Sequence, residues 1–108
     1  MTTFDDRQKG FEKKFAHDQD LKFKSEARRN NILATWVAGK LGLSGDDVTA
    51  YQKEVRRADL AEAGDDDVFR KVRADLDAKG VTVSDEEVRS QMMTAMEQAI
   101  AQIESERG

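Results

Sequence analysis

In Lys40-Leu41-Gly42-Leu43-Ser44-Gly45-Asp46-Asp47-Val48 one helix stops and another starts within nine residues. Gly42 reads as a left-handed helix terminator and Ser44 as a fresh N-cap. Asp46 and Asp47 follow in the first turn, where carboxylates favour the positive helix end. Leu43 and Val48 stand at the spacing of a hydrophobic staple. The same grammar returns at Gly80-Val81-Thr82-Val83-Ser84, where Ser84 caps, Glu87 completes a capping box and Val83 pairs with Val88. Between them Gly64 ends a helix, and Asp65 opens another with Asp66 and Asp67 in its first turn.

This punctuation predicts four helices over about 19–41, 45–63, 66–79 and 85–105. Each carries an apolar stripe at helical spacing: Ala27, Leu33, Trp36, Val37 and Leu41 in the first; Val48, Tyr51, Val55 and Ala58 in the second, with Leu60 at its margin; Val68, Phe69, Val72 and Leu76 in the third; Val88, Met92, Met96, Ile100 and Ile103 in the fourth. Short connections favour antiparallel neighbours, so the expected fold is all-α, a small antiparallel four-helix bundle over residues 20–108. Trp36 is expected in the core, where truncation to alanine costs about 3–5 kcal/mol.

A chain of 108 residues builds one domain, and one this size buries roughly 60–70% of its unfolded surface. It has no cysteine, which excludes disulfides and thiolate chemistry and fits a reducing compartment. No apolar run approaches the roughly 18 residues of a membrane span, and the N-terminus has no apolar signal core. A soluble cytoplasmic protein is the expectation. Charged residues make up 37% of the chain and proline is absent, as suits a mostly helical protein. The net charge of -4 is unevenly spread. Residues 1–31 hold eight Lys/Arg against six Asp/Glu, whereas residues 32–108 hold ten against sixteen. The basic end suggests a partner with an acidic, partly apolar surface.

That basic end also holds Phe4, Phe11 and Phe15, which fall on one stripe of a helix. Arg7, Lys9, Lys13, Lys14 and His17 stand around them. A segment this short and charged is marginal as an isolated helix, and Gly10 within it weakens a helix by roughly 1 kcal/mol relative to alanine. Residues 1–19 therefore read as a mobile N-terminal arm, disordered or loosely helical when free and helical when its rings are covered. The downstream punctuation implies that the bundle does not need these rings. Nothing breaks residues 11–38, so a helical arm could run on into the first bundle helix as one rod of about 55 Å.

Motifs for catalysis are lacking. One histidine, no cysteine, no glycine-rich phosphate loop and no metal-ligand spacing leave carboxylates at helix starts. Asp65-Asp66-Asp67 reads as capping, since consecutive residues in a first helical turn diverge and a metal site needs convergence. Lys22, Lys24 and Arg28-Arg29 form a basic patch interrupted by Asp18, Asp20 and Glu26, which reads as a solvated face or a contact for an acidic protein and not as a nucleic-acid platform. Met92 and Met96 read as core. His17 reads first as an exposed polar residue and second as a group titrating near neutrality within a binding helix.

Phe4-Asp5-Asp6-Arg7, Phe11-Glu12, Lys14-Phe15-Ala16-His17-Asp18, Phe23-Lys24 and Ala27-Arg28-Arg29-Asn30 together resemble the ζ inhibitor subunit of alphaproteobacterial F-type ATP synthases. Trp36, Lys40-Leu41-Gly42-Leu43-Ser44-Gly45, Ala63-Gly64-Asp65, Asp67-Val68-Phe69-Arg70-Lys71 and Val83-Ser84 continue the resemblance over nearly the whole chain. It implies a non-enzymatic regulator whose arm enters a catalytic α/β interface of the synthase head, meets the γ shaft, becomes helical and blocks ATP hydrolysis while sparing synthesis. Matching positions place the partner-binding residues at Phe4, Arg7, Phe11, Lys14, Phe15 and His17. The resemblance implies no required cofactor or metal, no nucleic acid and no membrane insertion, with the protein peripheral to the inner membrane through the synthase. It also implies weak ATP or ADP binding by the folded domain, for which no motif marks a site. An adenine-nucleotide-binding regulator without enzymatic activity is the alternative reading, and a nucleic-acid-associated helical protein a third.

Overall fold

Gln19–Leu41 form the first helix (α1), followed by Asp46–Ala58 (α2), Asp66–Ala78 (α3) and Asp85–Arg107 (α4). The computed structural model describes residues 10, 11, 13, 15, 18–60 and 65–107, and among these there is no strand. Asp18 starts α1, its Oδ1 accepting from the Leu21 N–H at 2.9 Å. Gly42 ends the helix at φ 79° and passes its N–H to the Ala38 and Gly39 carbonyls, while Leu43 N–H reaches Ala38 O at 2.9 Å. This is the left-handed terminator expected, and any residue with a Cβ would be strained there.

The cap of α2 differs from expectation. Gly45, not Ser44, is the N-cap, at φ 58° and ψ -130°, and no side chain caps the helix. That conformation is open to glycine and displaces Ser44 out of capping reach, so Asp46 and Asp47 are left to complement the positive end. Leu43 and Val48 each pack, partly buried, at the edge of the core cluster. The helix also stops at Ala58, short of the expected 63. Asp59 and Leu60 form a turn, because the Asp59 carboxylate is drawn toward α1, where Asn30 Nδ2 donates to it at 2.9 Å. The expected terminator Gly64 lies outside the described residues. Asp65 occupies the N-cap position of α3 but makes no side-chain cap bond, its carboxylate facing Arg89 at 3.5 Å and Arg29 at 4.0 Å. At α4 the Ser84 cap holds, its Oγ accepting from Glu87 N–H at 3.0 Å.

The helices run antiparallel in sequence. Across α1 and α2, Gln52 bonds Thr35, Arg56 bonds Asn31 and Asn30 bonds Asp59, so partners climb one helix as they descend the other. Tyr51–Asp75 and Lys71–Glu54 do the same for α2 and α3. Arg89 ties α4 to Asp66, and its guanidinium lies 4.0 Å over the Phe69 ring. Tyr51 O–H donates to Asp75 Oδ2 at 2.8 Å, and burial with that carboxylate beside it pushes the phenol well above its ordinary range.

One core cluster joins all four helices through Leu33, Val37, Val55, Val72, Leu76, Val88 and Met92. Two expectations for α1 change. Ala27 is exposed and Trp36 is only partly buried, with Lys40 Nζ 5.5 Å from its ring centre. The inward stripe of α1 instead runs through Leu21, Ser25, Arg29 and Leu33, which puts Ala27 about 200° away from Arg29 at 100° per residue.

Helix lengths then determine the rest of the packing. α1 and α4 have 23 residues each and α2 and α3 only 13, or about 35 Å against about 20 Å. The short pair covers the stretch of α1 beyond residue 30, leaving the other half of the α1/α4 seam for something else. At the boundary sits a polar node. Arg29, 3% exposed, donates from Nε to Asn30 Oδ1 at 2.8 Å and faces the Asp59 carboxylate at 3.5 Å. Ser25, one turn earlier, is fully buried and its Oγ finds no partner among the described residues.

Two stability effects are expected. Ser25→Ala removes a buried hydroxyl that has no partner among the described residues and should raise the urea-unfolding free energy by about 1 kcal/mol. Arg29→Ala should lower it by about 3 kcal/mol by removing the cation that faces the half-buried Asp59 and Asp65 carboxylates, whereas Arg28→Ala, which removes only a pair with Glu106 at the surface, should leave the midpoint nearly unchanged.

Candidate functional site

Of the six candidate partner-binding residues, Phe11 and Phe15 are described; Phe4, Arg7, Lys14 and His17 lie outside the described residues. Gly10, Phe11, Lys13 and Phe15 have helical backbone, so the two rings stand one turn apart on one face. That face is already occupied. Phe15 is only 8% exposed and belongs to a second apolar cluster with Leu21 of α1 and Met96, Ile100 and Ile103 of α4, against which Phe11 is half-buried. The expectation that the bundle leaves the rings alone is thus corrected at these two positions. The reason is the uncovered half of the α1/α4 seam, which α2 and α3 are too short to reach.

The single rod is corrected as well. Asp18 has φ -146° and ψ 87°, outside the helical region, and its N–H donates to Phe15 O at 3.1 Å while its side chain caps α1. The helical backbone at Phe11, Lys13 and Phe15 is therefore separated from α1 by the non-helical cap at Asp18. Asp18 three residues before Leu21 is an N-cap signal that a sequence reading could have used. Nothing lies within 4 Å of a Cβ placed on Gly10, and its φ is not in the left-handed region. No steric demand calls for a glycine there.

On the other flank of α1 a trough runs between α1 and α2. Phe23 and Leu60, 66% and 85% exposed, both line it, with Lys22, Lys53, Arg56 and Arg57 around them. Glu26 also faces this trough, and burial together with the nearby Asp59 charge raises its carboxyl above the ordinary range. The basic patch expected at Lys22, Lys24, Arg28 and Arg29 is partly dismantled: Arg29 points inward, Lys24 pairs with Asp20 at 3.1 Å and Arg28 with Glu106. Neither the rings nor the trough brings together a nucleophile and a base. Among the described residues no group of three or more His, Asp or Glu side chains converges as a metal site. No helix among them is long and apolar enough to cross a membrane.

These features suit a surface that is covered by another protein. Comparison with known proteins agrees in kind. A solution NMR structure is 48% identical to this chain, covers 80% of it and 98% of its own length, and superposes with a TM-score of 0.71. No curated protein matches the chain. The family model described as ATPase inhibitor subunit zeta matches residues 1–102, and a match over that much of its length makes the chain a member of the ATPase inhibitor subunit zeta family.

Proposed function

We propose that this protein is a non-catalytic inhibitor of an F-type ATP synthase, which blocks ATP hydrolysis by inserting residues 1–19 as a helix into a catalytic α/β interface against the γ shaft. The bundle stays outside as the body that carries the arm. Family membership over residues 1–102 is the observation that carries this reading, since the match takes in the whole arm as well as most of the bundle. The geometry supports it in one further respect. Phe11 and Phe15 already stand at helical spacing ahead of Asp18, the non-helical residue that caps α1, so the rings are presented from a helical turn outside the bundle helices.

Those rings have two uses in this reading. In the free protein Phe15 covers Leu21, Met96, Ile100 and Ile103; in the complex it is buried by the synthase. Fully burying a phenylalanine is worth about 1.5–3 kcal/mol, so the inward contact lowers the fraction of binding-competent protein without preventing binding. Arg7 and Lys14 would supply positive charge toward an acidic interface, which speeds encounter and selects the partner, with His17 among the contacting residues.

Deleting residues 1–19 should abolish inhibition of ATP hydrolysis by the cognate head. The same deletion should lower the thermal midpoint, because it uncovers the second apolar cluster. Full inhibition by the deleted chain would overturn the wedge. Replacing Ile100 by alanine loosens the seat of Phe15, at a stability cost of about 2 kcal/mol. In a hydrolysis titration this variant should reach half-inhibition at a lower concentration than the unmodified chain, circular dichroism confirming that it is folded.

A further inference from the structure

We infer that the trough between α1 and α2 is a second contact surface, which receives an acidic segment of the catalytic head bearing apolar side chains. The inference rests on the inhibitor reading above but concerns residues outside the arm. Phe23 and Leu60 are the large apolar side chains most exposed among the described residues, and they line one trough from α1 and from the turn after α2. Two such side chains converging from separate elements form a patch, unlike single exposed leucines scattered over a surface.

The charge around the patch selects the partner. Lys22, Lys53 and Arg57 make no ion pair among the described residues, and Arg56 is bound only to the neutral Asn31 amide. Cations on the other seams are matched: Arg28 by Glu106, Lys71 by Glu54 and Asp75, Arg73 by Asp77 and Asp85, Arg89 by Asp65 and Asp66. Two carboxylates reach the trough. Asp59 is held by Asn30 and Arg29, and Glu26 lies beside it, so two carboxylates stand against four cations. A protein of net charge -4 thus presents a locally positive, apolar-centred groove. An anionic segment would satisfy the four cations while covering both apolar side chains.

Position adds a reason for placing the occupant on the synthase. Phe23 stands five residues beyond the joint at Asp18, so a partner that grips residues 1–19 passes close to this end of α1. The trough would then continue the arm's interface along the bundle.

The test uses full-length chains. Lys53→Glu/Arg57→Glu reverses the charge and Phe23→Ser/Leu60→Ser removes the apolar centre; all four side chains are exposed, so the fold should hold by circular dichroism. Each double variant should raise the half-inhibitory concentration for ATP hydrolysis at least about tenfold, with full inhibition still reached at saturation because the arm is intact. The charge-reversed chain should also lose part of the salt dependence of binding to the isolated head, and the apolar variant should keep it. Phe11→Ser/Phe15→Ser should do the converse, binding the head without inhibiting. Wild-type titration by either trough variant overturns the inference and leaves the inhibitor reading standing; undiminished inhibition by the Phe11/Phe15 variant overturns that reading instead. Sedimentation showing self-association that the trough variants lose would assign the groove to a second copy and likewise defeat the inference.

Discussion

Two helices of 23 residues cannot be covered by two of 13, and the rest of the structure follows from that mismatch. Where all four helices overlap, the core is closed and aliphatic, from Leu33 to Met92. Beyond it the α1/α4 seam would face water with Leu21, Met96, Ile100 and Ile103 exposed, and burial of such surface is the main favourable term in folding. The chain closes this half with a piece of itself, Phe11 and Phe15, on a separate helical segment. Between the halves lies the node of Arg29, Asn30 and Asp59, which fastens the end of α2 to α1 where the short helices give out.

A buried guanidinium is weak evidence for stability, because desolvation of two charges offsets most of their attraction. Its role here is better described as registration. Arg29 touches Asp59 at the end of α2 and Asp65 at the start of α3, so one side chain sets where both short helices stand against α1. Apolar contacts alone would tolerate sliding along the seam, whereas this set of donors and acceptors is satisfied in one register.

Much of this was legible in the sequence. Helix number, order and antiparallel arrangement followed from glycines and caps, because Gly42, Gly80 and Ser84 act through local backbone chemistry that neighbours barely modify. The inward face of α1 was misjudged for a physical reason. Ser25, Arg29 and Asn30 are polar residues buried by tertiary partners, and hydrophobic periodicity cannot register a buried arginine whose carboxylates arrive from thirty or more residues away. Trp36 was overvalued because size suggests burial while its angular position on α1 denies it. At the candidate site the phenylalanine spacing was readable, but its inward partners were not, since only the lengths of α2 and α3 reveal that a seam is left open. The pairing of Phe23 with Leu60 was not readable either, since one stands on α1 and the other on the turn after α2, and only the fold brings them to one trough.

The joint at Asp18 carries a consequence for how the N-terminal segment can move. Its extended backbone and its carboxylate bond to Leu21 satisfy the first turn of α1 without help from the residues before it. A straight helix through the same position would satisfy those amides with carbonyls of the preceding turn instead. The direction in which the rings point is therefore governed at one residue, whose cap favours a bend at the start of α1 over a continuous helix.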